Sequence, residues 1–232
     1  GEDRARARFV DCGDVEIGPL LWEQNFDRIT QNAAAILAKG ALPVFAGGDH
    51  SVTYPLLRAF AAQGPLTVVQ IDAHLDYRDD AAGLRYGHGN VLRRVAELPF
   101  VERIVTLGLR SLRTRREDVE AHSAHGHAIV QAHEIHARGD AAYRDVLPRG
   151  RNVYVTFDID GLDPAIAPGT GTPEPGGLTY EQVRAILEEV CGANRLVGLD
   201  LVEVASVYDT SQITALVALQ ILVEAVGFGL RG

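Results

Sequence analysis

Short apolar runs rich in Val, Ile and Leu alternate along this chain with longer stretches whose apolar residues recur every three or four positions. The runs predict strands over residues 9–14, 42–46, 66–72, 104–108, 128–131, 153–158 and 196–202. None alternates strictly between apolar and polar, the pattern of strands buried on both faces. The intervening stretches predict helices over about 25–39, 54–63, 91–98, 115–125, 141–146, 180–190 and 212–226. Thr179 followed three residues later by Gln182 is a capping-box start, and Gly40 and Gly192 stand where helices end. This rhythm predicts one α/β domain over residues 1–232, a mainly parallel sheet between two helical layers.

A chain of 232 residues can bury a sizeable core, and a net charge of −9 argues against a nucleic-acid partner. No apolar run is long enough to span a bilayer, and there is no secretory signal. Cys12 and Cys191 are too few and too far apart for a disulfide framework, so a cytoplasmic location is expected. The chain starts at Gly1 and contains no methionine, so it is expected to be N-terminally incomplete.

Chemistry concentrates in three segments, each just after an apolar run: Gly47-Gly48-Asp49-His50-Ser51, Asp72-Ala73-His74-Leu75-Asp76 and Asp158-Ile159-Asp160. In an open α/β sheet such positions lie at the carboxyl ends of the strands, where ligands bind. Side chains at i, i+2 and i+4 of extended backbone share a direction, so Asp72, His74 and Asp76 converge, as do Asp158 and Asp160. Four carboxylates in one cleft repel one another unless cations join them, and two divalent ions would balance their charge. One imidazole per metal with several carboxylates suits manganese better than tetrahedral zinc, although zinc, iron and cobalt stay open. Five further histidines, His122, His125, His127, His133 and His136, are expected at the solvated surface, and Trp22 and Phe26 are expected to pack.

These segments, with the run from Thr156 to Pro164 and the Pro168-Gly169-Thr170-Gly171-Thr172-Pro173-Glu174-Pro175-Gly176-Gly177 loop, resemble the signatures of the arginase/agmatinase family of ureohydrolases from about Asp11 to Gly227. The resemblance implies an arginase-like αβα fold and two Mn2+ ions per subunit. One ion would be held by His50, Asp72, Asp76 and Asp158, and the other by His74, Asp72, Asp158 and Asp160, with Asp72 and Asp158 bridging. It implies that a metal-bridging hydroxide attacks a guanidino carbon, that Glu203 grips the guanidinium and that His88 passes a proton to the leaving amine. It also implies a homo-oligomer, a trimer or hexamer.

The chain departs from the family in two places. Seven predicted strands stand against the family's eight, so the first strand is expected to be missing. Arg78 stands where arginases carry an asparagine, and its guanidinium could pair with a substrate carboxylate. The expected substrate is agmatine, yielding putrescine and urea, with a guanidinobutyrase or other guanidino-acid hydrolase second and arginase third. Outside the class stand a metallophosphoesterase or deacetylase, disfavoured by the absence of clustered basic residues and by the surplus of ligands, and a metal-binding pseudoenzyme.

Overall fold

The computed structural model describes residues 8–231. Six strands form one parallel sheet in the order β1-β6-β5-β2-β3-β4: β1 (Val44–Ala46), β2 (Leu66–Ile71), β3 (Val101–Leu109), β4 (Ala128–Gln131), β5 (Asn152–Asp158) and β6 (Arg195–Val202). Seven helices accompany them: α1 (Trp22–Leu37), α2 (Thr53–Arg58), α3 (Val91–Ala96), α4 (Arg116–Ala124), α5 (Ala132–Arg138), α6 (Tyr180–Gly192) and α7 (Ile213–Gly229).

The central strands are buried on both faces, and successive residues feed opposite layers. Val68 and Ile104 pack with Leu57 of α2 and Leu92 and Val95 of α3. Val69 and Val105 pack with Ile135 of α5, Val183 and Ile186 of α6 and Ile221 of α7. This is the expected three-layer αβα arrangement. Gly198 in β6 makes room for it, because a Cβ there would lie 2.7 Å from the Phe60 ring and 3.0 Å from that of Tyr154. Those two rings meet edge to face at 5.1 Å.

Three sequence expectations need correction. Residues 9–14 form no strand; the segment is mostly exposed, and no β-ladder residue is its partner, so an apolar run alone did not suffice. A helix over 141–146 is replaced by α5 and a 3-10 turn at Gly139–Ala142. Helix α5 buries only Ala132 and Ile135 and starts where the Glu134 carboxylate accepts the Gln131 N–H, a signal too short to read. Neither glycine is the cap itself: α1 ends at Leu37 with Ala38 as its cap and Gly40 follows in the turn with φ +69°, whereas Gly192 lies inside α6 and Ala193 caps it. The capping box at Thr179 and Gln182 forms as expected.

The third correction concerns histidine. His133 and His136 are exposed, but His122 is fully buried and His127 half-buried. The His122 ring stands edge-on to Tyr77 at 5.0 Å and edge-on to His127 at the same distance, and neither of its nitrogens has a hydrogen-bond partner. Burial, with the neighbouring imidazoles, pushes the pKa of His122 down to about 3 and that of His127 down to about 4.

Both values lie below the ordinary one near 6.5 of an unfolded chain. The unfolded state therefore binds more protons below pH 6.5, and stability falls as pH drops from there toward 4. The cost from His122 is about 1 kcal/mol per pH unit. Urea denaturation between pH 7 and 5 should show a shallower loss in His122→Phe than in the parent; equal slopes would refute this source of acid sensitivity.

Candidate metal centre

Strand register brings the three ligand segments together. β2 and β5 are neighbours with Ile71 opposite Phe157, so Asp72 and Asp158 emerge side by side at the carboxyl ends of both strands. β1 lies beyond β6, which pairs with β5, and its exit leads through Gly47 and Gly48 into a 3-10 turn at His50–Val52. The sheet order reverses between β5 and β2, the crevice at which open α/β sheets bind ligands.

Two groups of ligand atoms result. His50 Nδ1 lies 3.1 Å from an oxygen of Asp72, 3.1 Å from one of Asp76 and 3.3 Å from one of Asp158. His74 Nδ1 lies 3.0 Å from Asp160 and 3.5 Å from Asp72. Asp72 is common to both groups, and all six residues expected as metal ligands meet in one cleft. The contacts of Asp158 are with the His50 group and, through an oxygen that accepts the Asp160 N–H at 2.9 Å, with the chain of the other.

The donor set fits a pair of divalent cations. His50 is fully buried; its Nε2 lies 2.9 Å from the Thr156 hydroxyl, which donates to Asp200 at 2.7 Å. The Thr156 hydroxyl gives its one proton to Asp200, so Nε2 is the donor to Thr156, and a neutral His50 then aims its Nδ1 lone pair at three carboxylates. A cation resolves that arrangement, and a carboxylate behind a histidine is the usual support of a ligating imidazole.

The acid–base balance agrees. Burial opposes a charge on His50, but Asp158, Asp72 and Asp76 outweigh it and hold its pKa well above the ordinary value. His74, against the same opposition from burial, is pushed up to about 11 by Asp160 and Asp72. Burial, then the charge on Asp72, pushes Asp76 up to about 6 and raises Asp160. Burial, then Asp160 and Asp72, holds Asp158 well above the carboxylate range. The cleft carries more negative charge than its two imidazoles relieve.

Further residues position this set, and sequence reading assigned them no role. Gln70, fully buried in β2, donates to Asp72 at 2.7 Å and accepts from Thr106 at 2.7 Å. Thr172 donates to Asp160 at 3.1 Å, and Glu174 lies 3.6 Å from His74 Nε2 while accepting from Ser111 at 2.8 Å. Arg110, after β3, donates to the main-chain carbonyls of Asp160, Gly161, Leu162 and Glu174 and so clamps the 164–177 loop over the centre. Gly177 permits that approach, since a Cβ there would stand 2.4 Å from the Asp163 nitrogen. The signal for Gln70, Thr156 and Asp200 is a polar residue inside an otherwise apolar strand; Arg110 carries no such mark. Replacing Thr156 with valine should weaken metal binding about 10–100-fold by calorimetric titration. Unchanged affinity would remove Thr156 from the support of His50.

The residues expected to face a substrate line an open cavity beside the ligands. His88, exposed at the start of a 3-10 turn, and Glu203, just after β6, share it with Asp76, Asp158 and Arg78. Glu203 accepts the His50 N–H at 2.8 Å, with φ +64°; Asp76 has φ +49°. Non-glycine residues in this left-handed region are costly, and such strain gathers at functional sites.

A family profile described as the arginase family matches residues 1–227. The chain belongs to the arginase family. It is 40% identical over 221 residues to the guanidinobutyrase of Pseudomonas aeruginosa, covering 93% of this chain and 69% of that protein. It is 39% identical over 222 residues to the mitochondrial agmatinase of Gallus gallus, covering 93% and 65%. The structure of proclavaminate amidino hydrolase from Streptomyces clavuligerus superimposes with a TM-score of 0.86 at 36% identity, covering 96% of this chain and 75% of that one. The chain spans about two thirds of the length of these curated relatives.

Proposed function

We propose that this arginase-family chain is a manganese-dependent ureohydrolase that splits a linear guanidino compound into urea and an amine. The observation that carries the reading is the pair of ligand groups around His50 and His74, which share Asp72, beside a cavity that also holds Glu203 and His88. Asp72 and Asp158 would hold both ions. Bound divalent cations at such a centre supply a water acidified from a pKa of 15.7 toward about 7.

The protein's own residues do the rest. Glu203 offers a carboxylate to the planar, forked donors of a guanidinium, and its φ and its bond to the His50 N–H fix its direction. His88, at the open side of the cavity, delivers a proton to the departing amine. The Arg110 clamp holds Thr172 and Glu174 against Asp160 and His74.

Agmatine, which the sequence favours, and guanidino acids share the guanidinium and differ in the charge of the other end. The names of the relatives include both kinds. An oligomer finds support in α7, whose Ile213, Leu216, Leu219 and Val223 expose an apolar stripe. Among the described residues no helix is long and apolar enough to cross a membrane; the cytoplasmic assignment rests on the two unpaired cysteines.

Urea release from agmatine, 4-guanidinobutyrate and arginine, measured with added Mn2+ and after chelation, tests the reading. Metal-dependent urea from at least one is expected. No urea from any guanidine would overturn it.

A further inference from the structure

We propose that Arg78 and Arg113 form an anion subsite at the mouth of the cavity, so that the substrate is an ω-guanidino carboxylate rather than agmatine. The inference rests on the ureohydrolase reading and adds the identity of the substrate's tail.

The cavity lining carries groups of both charges. Its acidic lining is Asp76, Asp158 and Glu203, with His74 beside them, and Asp158 is buried. At its mouth are Arg78 and Arg113, with Ser111, Thr114 and Asp118 beside them. Two carboxylates close to these arginines, Asp118 in the cavity lining and Asp79 in the chain, are already engaged. Asp118 takes two hydrogen bonds from Arg115, each 2.9 Å. Asp79, next to Arg78 in the chain, pairs with Arg94 at 2.5 Å and Arg85 at 3.2 Å. Among the described residues no acidic side chain lies within ion-pair distance of either Arg78 or Arg113. In a chain of net charge −9, two cations facing one pocket without a counterion are a place for an anion.

Both arginines sit on backbone tied to the metal loops. The Arg78 N–H donates to the Gly89 carbonyl at 3.1 Å, and its own carbonyl accepts from Asn90 at 2.9 Å, which joins it to the His88 turn. The Ser111 N–H donates to the Ala73 carbonyl at 3.1 Å, which fixes the loop bearing Arg113 to the loop bearing Asp72 and His74. The Arg78 guanidinium reaches the Arg113 carbonyl at 3.4 Å, so the two loops also meet at the mouth. A guanidinium presents planar forked donors to a carboxylate, and the same two groups repel the second cation of agmatine.

A substrate held at both ends is therefore a zwitterion, with its guanidinium on Glu203 and its carboxylate on the arginines. The test compares kcat/KM for 4-guanidinobutyrate, agmatine and the uncharged-tail analogue N-butylguanidine, in the Mn2+-loaded parent and in Arg78→Ala, Arg113→Ala and the double variant. The parent should prefer 4-guanidinobutyrate over agmatine by at least about tenfold. The double variant should lose that preference through a raised KM for 4-guanidinobutyrate, and lose at least tenfold more on this substrate than on N-butylguanidine.

A parent that prefers agmatine would overturn the inference while leaving the ureohydrolase reading intact. A preference for 4-guanidinobutyrate that survives in the double variant would overturn the assignment to Arg78 and Arg113. Equal losses on 4-guanidinobutyrate and N-butylguanidine would show a structural role only and would overturn it too. Absence of urea from all three substrates in the parent would instead remove the reading on which it rests.

Discussion

Asp158→Asn is expected to lose both metal ions and to lower urea release by at least about three orders of magnitude, some 4 kcal/mol of transition-state stabilisation. The residue is buried, lies 3.3 Å from His50 Nδ1 and anchors the Asp160 N–H, so it touches one ligand group and shapes the other. Asparagine keeps the volume and one oxygen but removes the negative charge that two divalent ions require. Metal analysis after dialysis should find two ions in the parent and none in the variant.

A second readout separates this from misfolding. Without metal the Asp158 carboxyl resists ionisation, because burial, then Asp160 and Asp72, opposes its charge. Asparagine relieves that conflict, so the metal-free variant should melt no lower than the metal-free parent. Mn2+ at a hundred times its dissociation constant should stabilise the parent by about 2.7 kcal/mol for each site it fills. The same addition should leave the variant unmoved. A variant that still binds two ions would refute the bridging assignment.

Glu203→Gln should lower kcat/KM by roughly 30- to 1000-fold with both ions retained, since one partner of a desolvated charge pair is worth about 2–4 kcal/mol. Glutamine still offers an oxygen to the His50 N–H, so the loop should hold its shape and the loss should fall on substrate recognition. Loss of metal in this variant would instead make Glu203 a support of His50, and unaltered kinetics would remove it from the substrate.

The convergence of the six His and Asp side chains could be read from the sequence because metal chemistry uses few residue types at fixed spacing, and strand ends supply the direction. The central strands could be read because burial on both faces leaves continuous apolar runs. Residues 9–14 show the limit: the same kind of run finds no strand beside it, and pairing is not a local property. His122 and His127 depart from their expected exposure for the opposite reason. His122 looks polar in the chain, yet a neutral imidazole edge-on to Tyr77 is buried as an aromatic ring. Arg110 could not be found at all, because its partners are carbonyl groups, and every residue has one.

The Arg110 clamp also bears on how the centre fills. The 164–177 loop has no helix or strand of its own, yet Arg110 holds its carbonyls and the Asp163 carboxylate accepts the Gly176 and Gly177 N–H groups at 2.9 Å. A loop fastened from outside has already lost its conformational entropy when the protein folds. Cations that bind here would meet a preformed cradle, and their binding free energy would not be spent on ordering this segment. The ions would be tenants of a finished site rather than the scaffold that assembles it.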